Sequence, residues 1–526
     1  MSGDGEERQA IIHRAALVAT GTAFSRLLGA ARDAVIAAVF AVKATDAFFV
    51  AFTIPNALRA LLGEGAVSGA FVPVFSEVRE KEGIERARKF YASLTGVMIL
   101  VLAAVTVLGV VLAPWLVALY AAGYEEERFA LTVELTQIVF PYIFLMGLAA
   151  LGMGALHSQK RFAVPAFAPA LLNVALIASA FAVVPLVLDL GWPAITALAI
   201  GAVAGGVLQV AAQLPVLKSE GLLRLPRLDL RDLYVRKAFR LMVPLLAGLG
   251  VYQLNVLLGR LFASFLPEGS QSFLYYGQRF VEMPQGMVAL AIASAVLPTL
   301  SELHGRGLTE EVKRTFSYAV RLSLFVTVPS TVALVVLAEP TVTVLLGRGQ
   351  FQPWMVHETA RSLIWQAAGV WAVGSVRTIV PMFHAYNDTR SPVICSGVNL
   401  VVFVTVSLAL MESWQHVGIA AAFTAAAVAQ LAALLYLLRR RVGRIGLTEM
   451  LRSTGRIGAC AAFMGGSVWA VTLLGDWSEG GNSLRNIGVY VGAIAAGVVT
   501  YLLAARALGA PELADIVAAL LRRRRR

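Results

Sequence analysis

Residues 90–120 read FYASLTGVMILVLAAVTVLGVVLAPWLVALY, a run with no Asp, Glu, Lys or Arg. A helix crosses a ~30 Å hydrocarbon core in about 20 residues, so this run is long enough to span a bilayer. It is preceded by a basic stretch from Arg79 to Lys89 and followed by Glu125, Glu126 and Glu127. Positive charge collects on the cytoplasmic side of membrane helices, which orients the run with its start inside. The fold class follows from whether the rest of the chain repeats this pattern.

It does. Of 526 residues, 58% are apolar and 14% charged, against roughly a quarter charged in soluble chains. Long apolar runs recur about fourteen times, and the ~10-residue alternating strands of a membrane barrel are absent from the pattern. The expected class is all-α and polytopic. The first apolar stretch follows Glu6, Glu7, Arg8 and Arg14 and contains Arg26, Arg32 and Asp33. It is too long and too charged for a cleaved signal, and is expected to remain as the first span.

A net charge of +12 raises the question of nucleic acid. The cations instead concentrate in every second loop and at the termini, as in Lys218 to Arg240, Arg439 to Arg456 and Arg522 to Arg526. No nucleic-acid partner is expected, and both termini are expected in the cytoplasm. The terminal arginines suit an orientation signal, with anionic head groups of membrane lipids as the second use. Cys395 and Cys460 stand far apart among apolar residues. Neither a disulfide framework nor a metal site is expected, and no cofactor.

At an offset of about 225 residues, Val72-Pro73-Val74-Phe75-Ser76-Glu77 matches Leu297-Pro298-Thr299-Leu300-Ser301-Glu302. His157 with Pro165 likewise matches His384 with Pro392, and Pro114 with Gly123 matches Pro340 with Gly349. The repeat divides the chain into a first lobe of six spans (1–225), a second of six (226–445), and a remainder of two spans with a basic tail (446–526). An even span number keeps both lobes in one orientation, with a pseudo-twofold axis along the membrane normal. Duplicated lobes of this kind enclose a transport pathway.

Ionised residues inside spans cost ~2.5–3.5 kcal/mol each, so they persist where they face a cavity or a partner. The first span carries Arg26, Arg32 and Asp33; the second carries Asp46, Arg59 and Glu64; the eighth carries Arg279 and Glu282. Arg260, Arg321 and Arg377 add further cations, leaving arginine in excess. Guanidinium is planar, permanently charged and matched to phosphate oxygens, which points to an anionic, phosphate-bearing substrate. A local pair between Arg279 and Glu282, three apart on a helix, is the competing use. Gly29, Pro55, Pro284 and Gly286 beside these charges are expected to kink the helices.

Several segments resemble one known family. Ser25-Arg26-Leu27-Leu28-Gly29 with Arg32-Asp33, Thr45-Asp46-Ala47-Phe48-Phe49, Ile54-Pro55-Asn56 and Glu64-Gly65-Ala66 through Phe71-Val72-Pro73 are similar to the MurJ/MviN lipid II flippases. So are Arg161-Phe162 to Pro169, and Tyr275-Tyr276 to Arg279 and Pro284. The resemblance implies two six-helix lobes around a V-shaped cavity, with two C-terminal helices forming a groove for a polyprenyl tail. It implies alternating access that carries lipid II, an undecaprenyl-diphosphate-linked disaccharide peptide, to the outer leaflet. It places substrate-binding arginines at Arg26, Arg32, Arg59 and Arg279. Supporting or gating roles fall on Asp33, Asp46, Glu64, Ser272 and Glu282. Cell-wall synthesis proteins are further implied partners. One departure concerns sodium, which in some relatives uses a carboxylate in the seventh span: residues 237–266 contain no Asp or Glu. Sodium coupling is therefore not carried over.

Three rivals remain. A polyprenyl-diphosphate oligosaccharide flippase or a drug antiporter of the same superfamily would share the fold, the antiporter with a carboxylate-dominated cavity. A membrane enzyme would need clustered acid, base or metal-binding residues, yet the six histidines are scattered and no HExxH or Gly-rich phosphate loop occurs. The chain is accordingly expected not to be an enzyme. A non-transporting scaffold leaves the intramembrane charges unexplained.

Overall fold

The computed structural model describes residues 3–59, 67–285, 290–443, 445–477 and 481–524. Among them the elements are α-helices and no strand occurs. The chain divides into two compact units, 1–268 and 269–526. The first contains α1 (Gly3–Val39), α2 (Val42–Arg59), α3 (Val67–Val111), α4 (Ala113–Ala121) and α5 (Glu126–Val139). It continues with α6 (Pro141–Ser158), α7 (Ala163–Ala182), α8 (Val184–Asp189), α9 (Thr196–Ser219) and α10 (Leu233–Ser264). The second contains α11 (Ser270–Pro284), α12 (Leu290–Gly305), α13 (Thr309–Val336), α14 (Ala338–Leu346), α15 (Pro353–Ala367) and α16 (Val370–Ala385). It ends with α17 (Arg390–Trp414), α18 (His416–Val442), α19 (Leu447–Thr472), α20 (Leu484–Ala507) and α21 (Pro511–Arg524). α10, which the sequence repeat groups with the later helices, packs on α3 and α4 of the first unit.

Nine helical stretches among the described residues are long and apolar enough to cross a membrane, by length and composition. Their outward faces confirm the solvent they are built for. Leu100, Val107 and Val111 on α3, Val401 on α17 and Val498 on α20 are exposed, a surface that suits acyl chains rather than water. α1 is not among the nine, since Arg26, Arg32 and Asp33 fall within about two turns of it. α3 is interrupted at Gly83, whose φ of 82° is a left-handed conformation. The basic residues Arg79 to Lys89 surround that break, and the uncharged run begins beyond it.

The repeat read from the sequence reappears in local geometry. At the end of α6, Lys160 takes φ 61°, its N–H donates to the His157 carbonyl, and Arg161 N–H donates to Leu156. At the end of α16, Asn387 takes φ 56°, its N–H donates to His384, and Asp388 N–H donates to Phe383. Both are the same left-handed helix stop, in which the two turn amides close onto carbonyls left over by the last helical turn. Asp388 then caps α17 by accepting from Arg390 N, Ser391 N and Ser391 Oγ, and pairs with Arg441. Burial opposes ionisation of that carboxyl, but the Ser391 donors and the Arg441 charge hold its pKa below the usual carboxylate value.

Each unit has its own core. In the first, Phe71, Phe75, Phe90 and Tyr91 cluster on α3, with the Phe71 and Phe90 rings stacked at 5.8 Å between centroids. In the second, Phe316, Phe383, Met382 and Leu434 join α13, α16 and α18. Phe90→Ala is expected to lower stability by about 3–5 kcal/mol, because a fully buried ring is replaced by a cavity. Val107→Ala on the outward face is expected to stay within about 0.5 kcal/mol. Thermal unfolding of the purified protein in one detergent distinguishes the two.

Candidate functional site

The polar residues of α1 are held by a neighbour that the sequence reading did not single out. Arg32 and Asp33 are both buried, each with 6% of its surface exposed. Arg32 donates from Nε at 2.9 Å and from Nη2 at 2.6 Å to one oxygen of Asp33. Its Nη1 donates at 3.0 Å to Asn173 Oδ1 on α7, and Asn173 Nδ2 donates at 2.9 Å to the Ser25 carbonyl. Asn173 therefore bridges the guanidinium and the α1 backbone, passing over Gly29 with its amide nitrogen 3.8 Å from where a Cβ would stand.

That geometry changes the reading of Gly29. α1 is one continuous helix from Gly3 to Val39 across Gly29. Asn173 passes it at ordinary van der Waals distance. Pro55 is likewise carried inside α2, and Pro284 ends α11. Gly286 lies outside the described residues.

Arg26 is half-buried on α1. It lies seven residues before Asp33, two helical turns along one face. Thr45 and Asp46 are almost fully buried within the first two turns of α2. Arg59 is the last residue of α2, but its side chain lies outside the described residues, as does Glu64 entirely.

In the second unit, α11 is sharply two-sided. Phe273, Leu274, Tyr276, Phe280 and Val281 are buried, whereas Tyr275, Arg279 and Glu282 line one partly open stripe at helical spacing. Arg279 donates to Glu282 at 3.1 Å and to the Tyr275 hydroxyl at 3.0 Å, and its guanidinium lies over the Tyr275 ring, 4.9 Å from the centroid. Ser272 is fully buried one turn earlier. Arg377 on α16 donates at 3.2 Å to the Gln285 carbonyl just past α11.

The arginine excess is thus smaller in effect than the sequence implies. Arg32 and Arg279 each have a carboxylate partner, and Arg321 stands 3.7 Å from the buried Glu512 of α21. A second cluster was not anticipated from the sequence. Arg128 on α5, almost wholly buried, pairs with Glu268 at 2.7 Å and lies over the Tyr124 ring, while Lys43 at the start of α2 reaches Glu127 and Glu268. Acidic loops that looked merely extracellular tie α2 and α5 to the turn after α10.

The pairing sets a test. Asp33→Ala leaves Arg32 charged in a site that water does not reach, and is expected to cost about 3–5 kcal/mol. Replacing Arg32 and Asp33 together with leucine is expected to cost less than the single change, because no charge is then stranded. Thermal unfolding of both variants in the same detergent measures the difference.

A profile of the family described as "Lipid II flippase MurJ" matches residues 36–482. The chain is 32% identical over 524 residues to a probable lipid II flippase MurJ of Bdellovibrio bacteriovorus, covering 98% of each chain. It is 33% identical to the corresponding protein of Vibrio cholerae, covering 96% of this chain and 97% of that one. Among solved structures, a lipid II flippase MurJ in an inward closed conformation superposes with a TM-score of 0.77 at 24% identity, over 95% of this chain and 99% of that one. An inward-facing multidrug transporter of the MATE family superposes at 0.67 with 14% identity, over 81% of this chain and 96% of that one, which is a likeness of fold alone. The match runs through nearly the whole length of both the chain and its relatives: this multi-pass membrane protein belongs to the MurJ lipid II flippase family.

Proposed function

We propose that the protein carries lipid II from the inner to the outer leaflet of the cytoplasmic membrane by alternating access, with both termini in the cytoplasm and no covalent chemistry of its own. The observation that carries this reading is the placement of arginines on α1 and α11, helices that also bury apolar faces, in a chain related over its full length to proteins named as lipid II flippases. Arg26, Arg32, Arg59 and Arg279 bind the diphosphate as it passes. Guanidinium groups suit that task because they stay ionised without water and offer paired donors to phosphate oxygens.

The carboxylates then act as holders. Asp33 with Asn173 fixes the plane of the Arg32 guanidinium, and Glu282 with Tyr275 fixes that of Arg279. An incoming phosphate takes over donors that Glu282 occupies. Asp46, Glu64 and Ser272 support the helices that carry these groups. The two lobes of the duplication supply the moving parts, and α19 and α20 the surface for the lipid tail.

A drug antiporter of the same superfamily is the alternative that the MATE likeness raises. Tyr275, Arg279 and Glu282 on α11 argue against it, since a cation carrier has no use for a guanidinium held forward on the open stripe. The test is complementation of a flippase-depleted bacterium with lipid II translocation as the readout. Arg26→Ala and Arg279→Ala are each expected to slow translocation by about tenfold or more, the equivalent of ~1.4 kcal/mol, while Arg321→Ala leaves it within about twofold. Undiminished translocation in both alanine variants removes these residues from the pathway.

A further inference from the structure

The segment joining α9 to α10 has the composition of neither a soluble loop nor a span. Residues 222–233 read LLRLPRLDLRDL and run without helix until α10 begins. Leu223, Leu225, Leu228, Leu230 and Leu233 are all exposed, from 50% at Leu223 to 87% at Leu225. Arg224, Arg227 and Arg231 alternate with them, also exposed. Single exposed leucines are ordinary, but five within one short turn-rich segment form a patch that asks for a partner.

The carboxylates of the segment are turned to local use. Asp229 accepts from the amides of Arg231 and Asp232, making a turn. Asp232 is buried, caps α10 by accepting from Tyr234 N and Val235 N, and pairs with Arg86 at 2.8 Å. Arg224 is paired with Glu85 at 2.8 Å, so the segment turns outward the charges of Arg227 and Arg231, set among the leucines.

Its depth is fixed by α3. The Arg227 amide donates at 3.1 Å to the Ala92 carbonyl, and a Cβ on Gly96 would overlap the Arg227 backbone, so only glycine admits this approach. The last charge of α3 before its apolar run is Lys89. Ala92 and Gly96 lie about 5–10 Å further along the helix. That is the depth at which amphipathic elements rest between head groups and acyl chains. Leu100, Val107 and Val111 continue the Gly96 face of α3 at helical spacing, and all are exposed to what must be lipid.

We propose that residues 223–233 form a membrane-surface anchor, in which the leucines enter the cytoplasmic leaflet and Arg227 and Arg231 meet anionic phosphate head groups. The anchor holds the start of α10 at a fixed depth beside α3. It depends on the protein spanning a membrane and not on what it transports.

The test uses the full chain in lipid nanodiscs, with a single cysteine at Leu225 or Leu230 carrying a small polarity-sensitive dye. The native Cys395 and Cys460 are both buried. A label at exposed Arg306, on the turn between α12 and α13, reports the aqueous reference. In discs rich in phosphatidylglycerol, the labels at Leu225 and Leu230 are expected to shift to the blue, to be quenched by shallow spin-labelled lipid, and to be shielded from iodide. Arg227→Gln and Arg231→Gln are each expected to lower the docked-to-undocked ratio by about fivefold in anionic discs and to have little effect in zwitterionic ones. Iodide quenching at Leu225 equal to that at Arg306, without lipid quenching, overturns the proposal. So does shielding that appears only with two copies per disc or on adding soluble protein, which would make the occupant a second chain or a cytosolic partner.

Discussion

A charged guanidinium in a medium that water does not reach must bring its counter-charge with it, and α1 is organised around that constraint. Asp33 supplies the charge and Asn173 supplies the remaining geometry, from a different helix. Two helices are thereby joined by polar contacts at a point where apolar packing between them would be the default. The arrangement holds Arg32 in one plane. It also ties α1 to α7, because removing Asn173 leaves a buried Arg32 donor and the Ser25 carbonyl without that partner, whereas removing Asp33 strands the charge.

The same rule governs α11 in a more open setting. Arg279 lies on a tyrosine ring and shares its donors between a hydroxyl and a carboxylate. This is a looser hold than that on Arg32, because Glu282 is itself partly exposed. A buried pair gives fixed geometry; a half-open pair gives exchange. Binding and release of a lipid diphosphate call for both.

Much of this was legible in the chain. The uncharged run at 90–120, the alternation of basic and acidic loops and the repeat near 225 residues follow from the cost of exposing apolar or charged groups to the wrong solvent, and each is a local property of sequence. The duplicated left-handed turns at Lys160 and Asn387 follow the same logic, since His157 and His384 mark their equivalent positions. Asn173 was harder to see. A lone asparagine in the apolar run of α7 gives no spacing signal, and its importance appears only when α7 lies against Gly29. The surplus of arginine was visible, and so was the Arg279–Glu282 pair as a competing use; the pairing of Arg32 with Asp33 was not, because sequence adjacency does not say whether two side chains point at each other.

Sequence alone determined that the protein lives in a membrane, how its loops are charged, that it arose by duplication and which family it is like. Those features are written in composition and order, which the hydrocarbon core reads one helix at a time. The tertiary structure alone decided that Asn173 reaches Arg32, that Arg128 meets Glu268, and that the α9–α10 segment lies against Gly96 of α3. Those three contacts join residues far apart in the chain, and such distances exist only once the helices have packed.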